Sequence, residues 1–338
     1  MMSKVTIQEV ARNAGVSKGT ISRVLNGRDG VNPETRTLVL GVVERLGYVP
    51  DPGARQLARR GRHVIGLALD EDERRGSTYY GILRDALEER LSSEGYSTQI
   101  QRENQLATDL DGVILLGVHL DDPRPMQLER AKTPFAMVGR SLERQSWVDV
   151  DNHGGLLAAV RHLINLGHSK IAHLSGAHTG QASVQRLEGF RAGMQSAGLE
   201  IIKNLIWDGD FTELGGYRAV RRALEAGLEF SAIAAASDEM AIGAIAALQD
   251  SGRRVPWDVS VTGFDDLPVA TKFNLTTVRQ PIFEVGTRAA ELLLERMSGK
   301  PASSALVATN LMVRQSTAAF LDEPNSGVLN EPNSKVKN

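Results

Sequence analysis

The sequence predicts two kinds of fold in one chain: an N-terminal all-α helix-turn-helix headpiece, then a larger α/β body built on parallel sheets. Three observations carry this. Three short helix signatures crowd into the first fifty residues. Beyond Arg62 the apolar pattern changes to strands alternating with helices. Charge is also divided unequally: up to Arg62 eleven Lys and Arg stand against five Asp and Glu, a net +6, so the overall −2 leaves −8 on the rest. A cationic head on an anionic body points the head alone at a polyanion.

The first helix is signalled by Thr6 and Glu9, which have capping-box spacing. Its apolar members Ile7, Val10, Ala11 and Ala14 recur at three and four residues and form one buried stripe. Gly15 ends it, where a sharp turn needs positive φ. Ser17 caps a second helix over Lys18–Leu25, which buries Ile21, Val24 and Leu25 and exposes Lys18, Gly19, Ser22 and Arg23. Asn32-Pro33 starts a third, with a capping side chain and then proline where its missing N–H costs nothing; it runs through Leu38, Val42 and Leu46 to Gly47. Such a unit lays the N-terminal end of its second helix in the major groove. Arg23 suits a bidentate contact to guanine, and Lys18 a guanine or a phosphate. Thr6, Ser17, Thr20, Ser22, Asn26 and Thr35 carry the short donors that suit phosphate oxygens. On these residues alone, a generic helical bundle with solvated charges stands beside the DNA reading.

The next segment has its own logic. Asp51-Pro52 is another helix start, but Pro52–Arg60 is too short to hold a helix unaided, and Gly53 weakens it further. It is expected to order only on a partner.

In the body, strand-like runs fall at Val64–Leu69, Gly112–Leu116, Phe135–Val138, Lys170–Leu174, Ile233–Ala236 and Ser260–Gly263. Helical spacing falls between them at Tyr79–Leu91, Leu156–Leu166, Val184–Ala197, Gly216–Ala226 and Met240–Gln249, and then at Glu284–Met297. That alternation describes βαβ units. In such sheets ligands bind on loops beyond the carboxyl ends of strands. Asp265 and Asp266 follow one predicted strand there and Asp238 another, so these carboxylates are candidates for holding hydroxyl groups.

The run VTIQEVARNAGVSKGTISRVLNG, followed by Tyr48-Val49-Pro50 and Ala54-Arg55-Gln56-Leu57, closely resembles the headpiece and hinge of the LacI/GalR family of bacterial transcription regulators. The resemblance extends through Val138-Gly139-Arg140, HLINLGHSKIAHLSG, RLEGF, SDEMAIGA, VTGFDD, TTVRQP and LMVRQST. It implies a body like a periplasmic sugar-binding protein, with two α/β lobes and a cleft. It puts Lys18, Gly19 and Arg23 at base-reading positions, one of them without a side chain, and gives Ala54, Leu57 and Ala58 the minor-groove hinge, with Leu57 as the wedge. By the same correspondence Tyr79 or Tyr80, Arg186, Phe211, Ser237, Asp265 and Gln280 line the effector cleft. The implied domains are 1–50 (headpiece), 51–62 (hinge), 63–320 (effector binding and dimerisation) and 321–338, a polar tail expected to be disordered and free of leucine heptads. One departure stands out. Between Tyr96 and Gly112 there is no room for the usual strand, loop and full helix, so either the helix shrinks to a turn over Asn104–Leu110 or the strand at Ser97–Gln101 is lost.

The expected function is a ligand-controlled DNA-binding regulator, a homodimer on a pseudo-palindromic operator. Two logics stay open: a repressor relieved by a sugar or sugar derivative, and a corepressor scheme with a nucleobase or nucleoside ligand. A transport-type sugar-binding protein would share the body but not the cationic head. No G-x-G-x-x-G, P-loop, G-x-S-x-G or H-E-x-x-H motif is present, so no enzyme is expected and no cofactor. The chain has no cysteine, and His162, His168, His173 and His178 fit no metal-ligand spacing, so no metal is expected. With neither an apolar signal segment nor a bilayer-length run, the expected place is the cytoplasm, at the nucleoid, with no membrane partner.

Overall fold

A computed structural model describes residues 6–25, 31–46, 48, 63–69, 77–102, 106–107, 110–141 and 144–320. Asn26, the hinge residues Ala54, Leu57 and Ala58, the charged loop at 71–76 and the tail from 321 lie outside them. The chain divides into two compact units: the first holds the head together with 80–149 and 283–305, the second holds 77–79, 150–282 and the residues from 306 on.

The head is three helices, α1 (Ile7–Ala14), α2 (Lys18–Leu25) and α3 (Pro33–Arg45). Each starts on the signalled cap. The Thr6 hydroxyl accepts from the Glu9 amide while the Glu9 carboxylate accepts from the Thr6 amide at 2.7 Å. Ser17 Oγ accepts from the Thr20 amide, and Asn32 Oδ1 from the Thr35 amide. Gly15 turns between α1 and α2 at φ 65°, in the left-handed region. Val10, Ala11, Ala14, Ile21, Val24, Val39 and Val42 make the buried core. The third helix corrects the expectation. Val39 is buried while Leu38 is 53% exposed, because Leu38, Val42 and Leu46 repeat at four and drift round the helix, whereas Val39, Val42, Val43 and Leu46 stand at i, i+3, i+4 and i+7 and hold one face.

The rest of the first unit is a sheet in the order β11 (Ser304–Val307), β5 (Trp147–Val150), β4 (Phe135–Val138), β3 (Gly112–Leu115), β1 (Val64–Ala68) and β2 (Ser97–Gln101). The pairings from β2 through β1, β3 and β4 to β5 are parallel. Helices α4 (Thr78–Ser92) and α5 (Arg124–Ala131) belong to its crossovers, and α11 (Ile282–Met297) also packs here. The short segment after Tyr96 resolves in favour of the strand: β2 forms and pairs with β1. Ten residues then lead to β3, and among the described ones none is helical. Gly66 explains how so short a crossover works. A Cβ there would lie 2.6 Å from Leu110 Cδ1, so the missing side chain lets Leu110 (2% exposed) seat against the sheet, while Gln101 Oε1 fixes the segment by accepting from the Ala107 amide.

The second unit repeats the plan with the order β12 (Asn310–Met312), β10 (Thr276–Arg279), β9 (Ser260–Asp265), β8 (Ala232–Ala235), β6 (Ile171–Ser175) and β7 (Ile206–Asp208). Only β12 runs antiparallel, against β10. Helices α6 (Asn152–Asn165), α7 (Gln181–Ser196), α8 (Glu213–Glu225), α9 (Asp238–Asp250) and α10 (Pro268–Lys272) connect them. The core is small and aliphatic, with Ala172, Leu174, Ile233, Ala235, Val261 and Leu248 fully buried.

Candidate functional site

The predicted chemistry lies in two places: the outer face of α2, and the carboxyl ends of the strands in the second unit. In the head, Ile21 (0% exposed) and Val24 anchor one side of α2 in the core, so Lys18, Gly19 and Arg23 are presented outward. Ser17 is exposed, its hydroxyl 2.9 Å from that of half-buried Thr20; Thr6 is exposed and Thr35 half-buried. Ser22 lies on α2, its side chain outside the described residues.

In the second unit the strand order reverses between β6 and β8, and it is beyond such a reversal that open α/β sheets hold ligands. Arg186, on α7, is brought there and is 5% exposed. Its Nε donates to Asn152 Oδ1 at 2.8 Å, its Nη1 donates to the Ala236 carbonyl at the end of β8, and Nη1 stands 3.5 Å from Asp265 Oδ1. The guanidinium lies 3.7 Å above the Phe264 ring and 5.9 Å from that of Phe211. Gln280, just past β10, donates its amide N–H to Asp265 Oδ1 at 2.5 Å. Phe211 follows β7 at φ 54°, half-buried, and its ring occupies the space a side chain on Gly176 would need. Arg186, Asp265, Gln280 and Phe211 are therefore brought together. Burial pushes the Asp265 carboxyl up to about 7, outweighing the pull of Arg186 and the Gln280 bond. A guanidinium, a carboxyl that is partly protonated near neutrality and an amide, set beside aromatic faces, make a set of oriented donors and acceptors suited to hydroxyl groups.

Other candidates are placed differently. Ser237 is 3% exposed and caps α9 by accepting from the Met240 amide. Tyr79 and Tyr80 lie in the first turn of α4, half-buried. Asp238 is turned inward, accepting from the Thr277 hydroxyl and the Leu267 amide; burial, and then the charge of Asp265, raise its carboxyl. Asp266 is taken up by Arg279 and Arg314. Both carboxylates thus bond to protein, and Asp265 is the one that faces Arg186.

Sequence reasoning missed two features. Ser175 Oγ, Gln181 Oε1 and Ser183 Oγ, at the end of β6 and the start of α7, are buried without a protein partner. They lie in SGAHTGQAS, whose small polar residues were the available signal. In the first unit Arg124 is 1% exposed, pairs with Asp122 at 2.6 Å and donates to the carbonyls of Leu116, Gly117 and Ala68 at the ends of β3 and β1. The histidines act separately: His162 meets Thr317, His168 meets Ser231 and Ser260, and His173 bonds the Ala234 carbonyl. Among the described residues no group of three or more potential ligands could hold a metal, and no helix is long and apolar enough to cross a membrane.

Comparison with known proteins fits this division. Residues 6–51 match the family of bacterial regulatory proteins of the lacI type, and residues 160–317 match a periplasmic binding protein-like domain. The HTH-type transcriptional regulator CelR of Thermobifida fusca is 37% identical over 332 residues, 92% of this chain and 98% of that protein. The HTH-type transcriptional regulator GalR of Escherichia coli (strain K12) is 32% identical, over 88% of this chain and 90% of GalR. Among solved structures, a complex of the transcriptional regulator CelR with cellobiose aligns with a TM-score of 0.71 at 36% identity, covering 92% of this chain and 99% of that one. A lac repressor dimer bound to operator and the anti-inducer ONPF aligns at 0.69 and 27%, covering 94% and 100%. With its head matched to that family and its length matched to CelR, the chain belongs to the LacI family of bacterial regulatory proteins and is a DNA-binding transcriptional regulator.

Proposed function

We propose that this regulator is a repressor: two copies bind a pseudo-palindromic operator through α2, and a sugar or sugar derivative held by Arg186, Asp265, Gln280 and Phe211 releases it. The observation that carries the effector half is the Arg186 constellation beyond β6, β8, β9 and β10. The similarity to CelR, known in complex with cellobiose, supports a sugar and makes cellobiose the first ligand to try. Lys18 and Arg23 read bases, with Gly19 between them as a silent position; Thr6, Ser17, Thr20, Ser22, Asn26 and Thr35 face phosphates. Residues 1–50 work as the reading head, 51–62 as a hinge that orders on DNA, and 63–320 as the effector-binding and dimerising part. The protein works in the cytoplasm, by binding and not by catalysis.

A ligand changes operator affinity only by as much as it prefers one of the two states. The test is fluorescence anisotropy on DNA from the region upstream of the protein's own gene, titrated with cellobiose, other sugars and a nucleobase. Release by cellobiose or another sugar supports the proposal. Tightening by the nucleobase replaces it with the corepressor scheme, and indifference to every sugar refutes the effector assignment. In the same assay Leu57→Ala weakens operator binding by roughly tenfold or more, since the wedge and the bend it permits are lost, while sugar binding persists; an unchanged operator Kd removes the wedge role.

A further inference from the structure

The corner between β9 and α10 holds two consecutive aspartates, Asp265 at φ 117° and Asp266 at φ 56°, in backbone regions that residues other than glycine rarely enter. Such conformations persist where the surroundings over-determine them. Here three ties do so. Asp265 is held by Gln280 and faces Arg186, and the Leu267 amide donates to Asp238 Oδ2 at 2.7 Å. Between them Asp266, whose side chain is 6% exposed, accepts from Arg279 Nε and from Arg314 Nη2, each at 2.6 Å.

The two arginines differ. The Arg279 side chain is 51% exposed and that of Arg314 17%, so solvent screens the first pair more. Arg314 also uses its whole fork: Nη1 donates to the Leu275 carbonyl at 2.7 Å while Nη2 donates to Asp266, and its own amide donates to Thr276 Oγ1 at 2.9 Å. One planar guanidinium thereby ties the Asp266 carboxylate to the start of β10 through two separate nitrogens, a fixed fork that the single nitrogen of a lysine does not reproduce.

We propose that Arg314, assisted by Arg279, is a positioning residue for the effector site: by pinning Asp266 it holds the preceding residue, Asp265, in the left-handed geometry that faces Arg186. The inference rests on the effector reading of that site given above. Both guanidinium groups bond Asp266, while Arg279 also pairs in register with Asp265 across β9 and β10; the two side chains act through the backbone of the corner.

The test uses the full chain in two measurements. Hydrogen–deuterium exchange without ligand compares wild type, Arg314→Met, Arg314→Lys and Asp266→Asn; asparagine keeps the tolerance for positive φ and removes the charge. The Leu267 amide is expected to exchange at least about tenfold faster in Arg314→Met and Asp266→Asn, with Arg314→Lys between, while the amides of β6 keep their wild-type rates. Calorimetric titration with cellobiose is then expected to give a Kd raised about tenfold or more in Arg314→Met and partly restored in Arg314→Lys, with operator binding unchanged. Should Arg314→Met fail to fold, the other two variants carry the same test. Unchanged exchange at the corner overturns the proposal, as does faster exchange throughout the unit. A loosened corner with unaltered cellobiose affinity overturns it too. If wild type itself ignores cellobiose, the choice of sugar fails, and the exchange comparison still decides whether the clamp exists.

Discussion

Replacing Arg186 with methionine keeps a long apolar stem over Phe264 and removes the guanidinium from three partners. Two are neutral acceptors, Asn152 Oδ1 and the Ala236 carbonyl, bonded at 2.8 and 2.5 Å. Stranding a buried acceptor costs about 1–3 kcal/mol. The third is Asp265, and an unpaired buried charge would add about 3–5 kcal/mol. That addition depends on pH, because the carboxyl, already raised to about 7 by burial, can take up a proton. The sign follows from linkage. An acid whose folded-state pKa lies above its unfolded value of 3.8 binds more protons when folded, so it favours folding at low pH and loses that contribution as pH rises through the folded value. In wild type the loss is complete just above 7; without Arg186 the folded value moves higher and the loss continues. At pH 6 the variant should therefore be less stable by about 2–6 kcal/mol, from the two acceptors alone. Each further pH unit above 7 adds about 1.4 kcal/mol to the deficit until the new pKa is passed. At about 2–4 °C per kcal/mol, the melting temperature at pH 6 drops by roughly 4–24 °C. Melts followed by circular dichroism at pH 6, 7, 8 and 9, with wild type alongside, measure both quantities. A deficit that stays constant or shrinks from pH 6 to 9 would refute the account of Asp265 as a carboxyl balanced between burial and Arg186.

Asp265→Asn removes a charge-assisted acceptor worth about 1.5–3 kcal/mol, so effector affinity should fall roughly 10- to 100-fold in titration calorimetry with operator binding intact; a wild-type response rules out its role. His173 is fully buried, and burial lowers its pKa to about 4. A histidine depressed in this way supports folding above about 6.5 and loses that support as pH falls toward 4, about 3 kcal/mol in all. Melts between pH 7 and 4.5 should show the slope in wild type and a flatter one in His173→Gln; equal slopes would exclude His173 as the source. Gly19→Gln should fold normally, since a Cβ there meets only Ser17 Oγ at 3.6 Å, an ordinary contact. It should shift base preference at one operator position in a binding-site selection, and an identical selected sequence would show that Gly19 does not face the bases.

Local signals were the legible ones. The caps at Thr6, Ser17 and Asn32 could be read because donor and acceptor lie three residues apart. Six of the buried parallel strands, β1, β3, β4, β6, β8 and β9, showed as short apolar runs, with most of the helices between them. β5, β7, β10, β11 and β12 did not show: β7, β11 and β12 are three or four residues long and only partly buried, while β5 and β10 are four-residue strands whose apolar runs are broken by Asp149 and by Thr276 and Thr277. Of the site, Arg186 and Gln280 came from resemblance and Asp265 also from its place after a predicted strand, while the fates of Asp238 and Asp266 were not visible. Their partners, Thr277 and Arg314, are 39 and 48 residues away, and no local pattern encodes such a pairing. Arg124 was missed for the same reason: it stands in the polar run DDPRP, yet it is buried on carbonyls that only the folded sheet assembles.

The seat of Leu110 over Gly66 has an evolutionary consequence. In a crossover roofed by a helix, the strand residue below can vary with whatever the helix presents. Here Leu110 sits directly on Gly66, so the two positions are committed to each other: an alanine at 66 requires a smaller residue at 110, and a smaller residue at 110 leaves a hole that a larger one at 66 can fill. Chains that share this seat should change at these positions as a pair, and those in which a helix covers the strand residue should be released from the constraint at once.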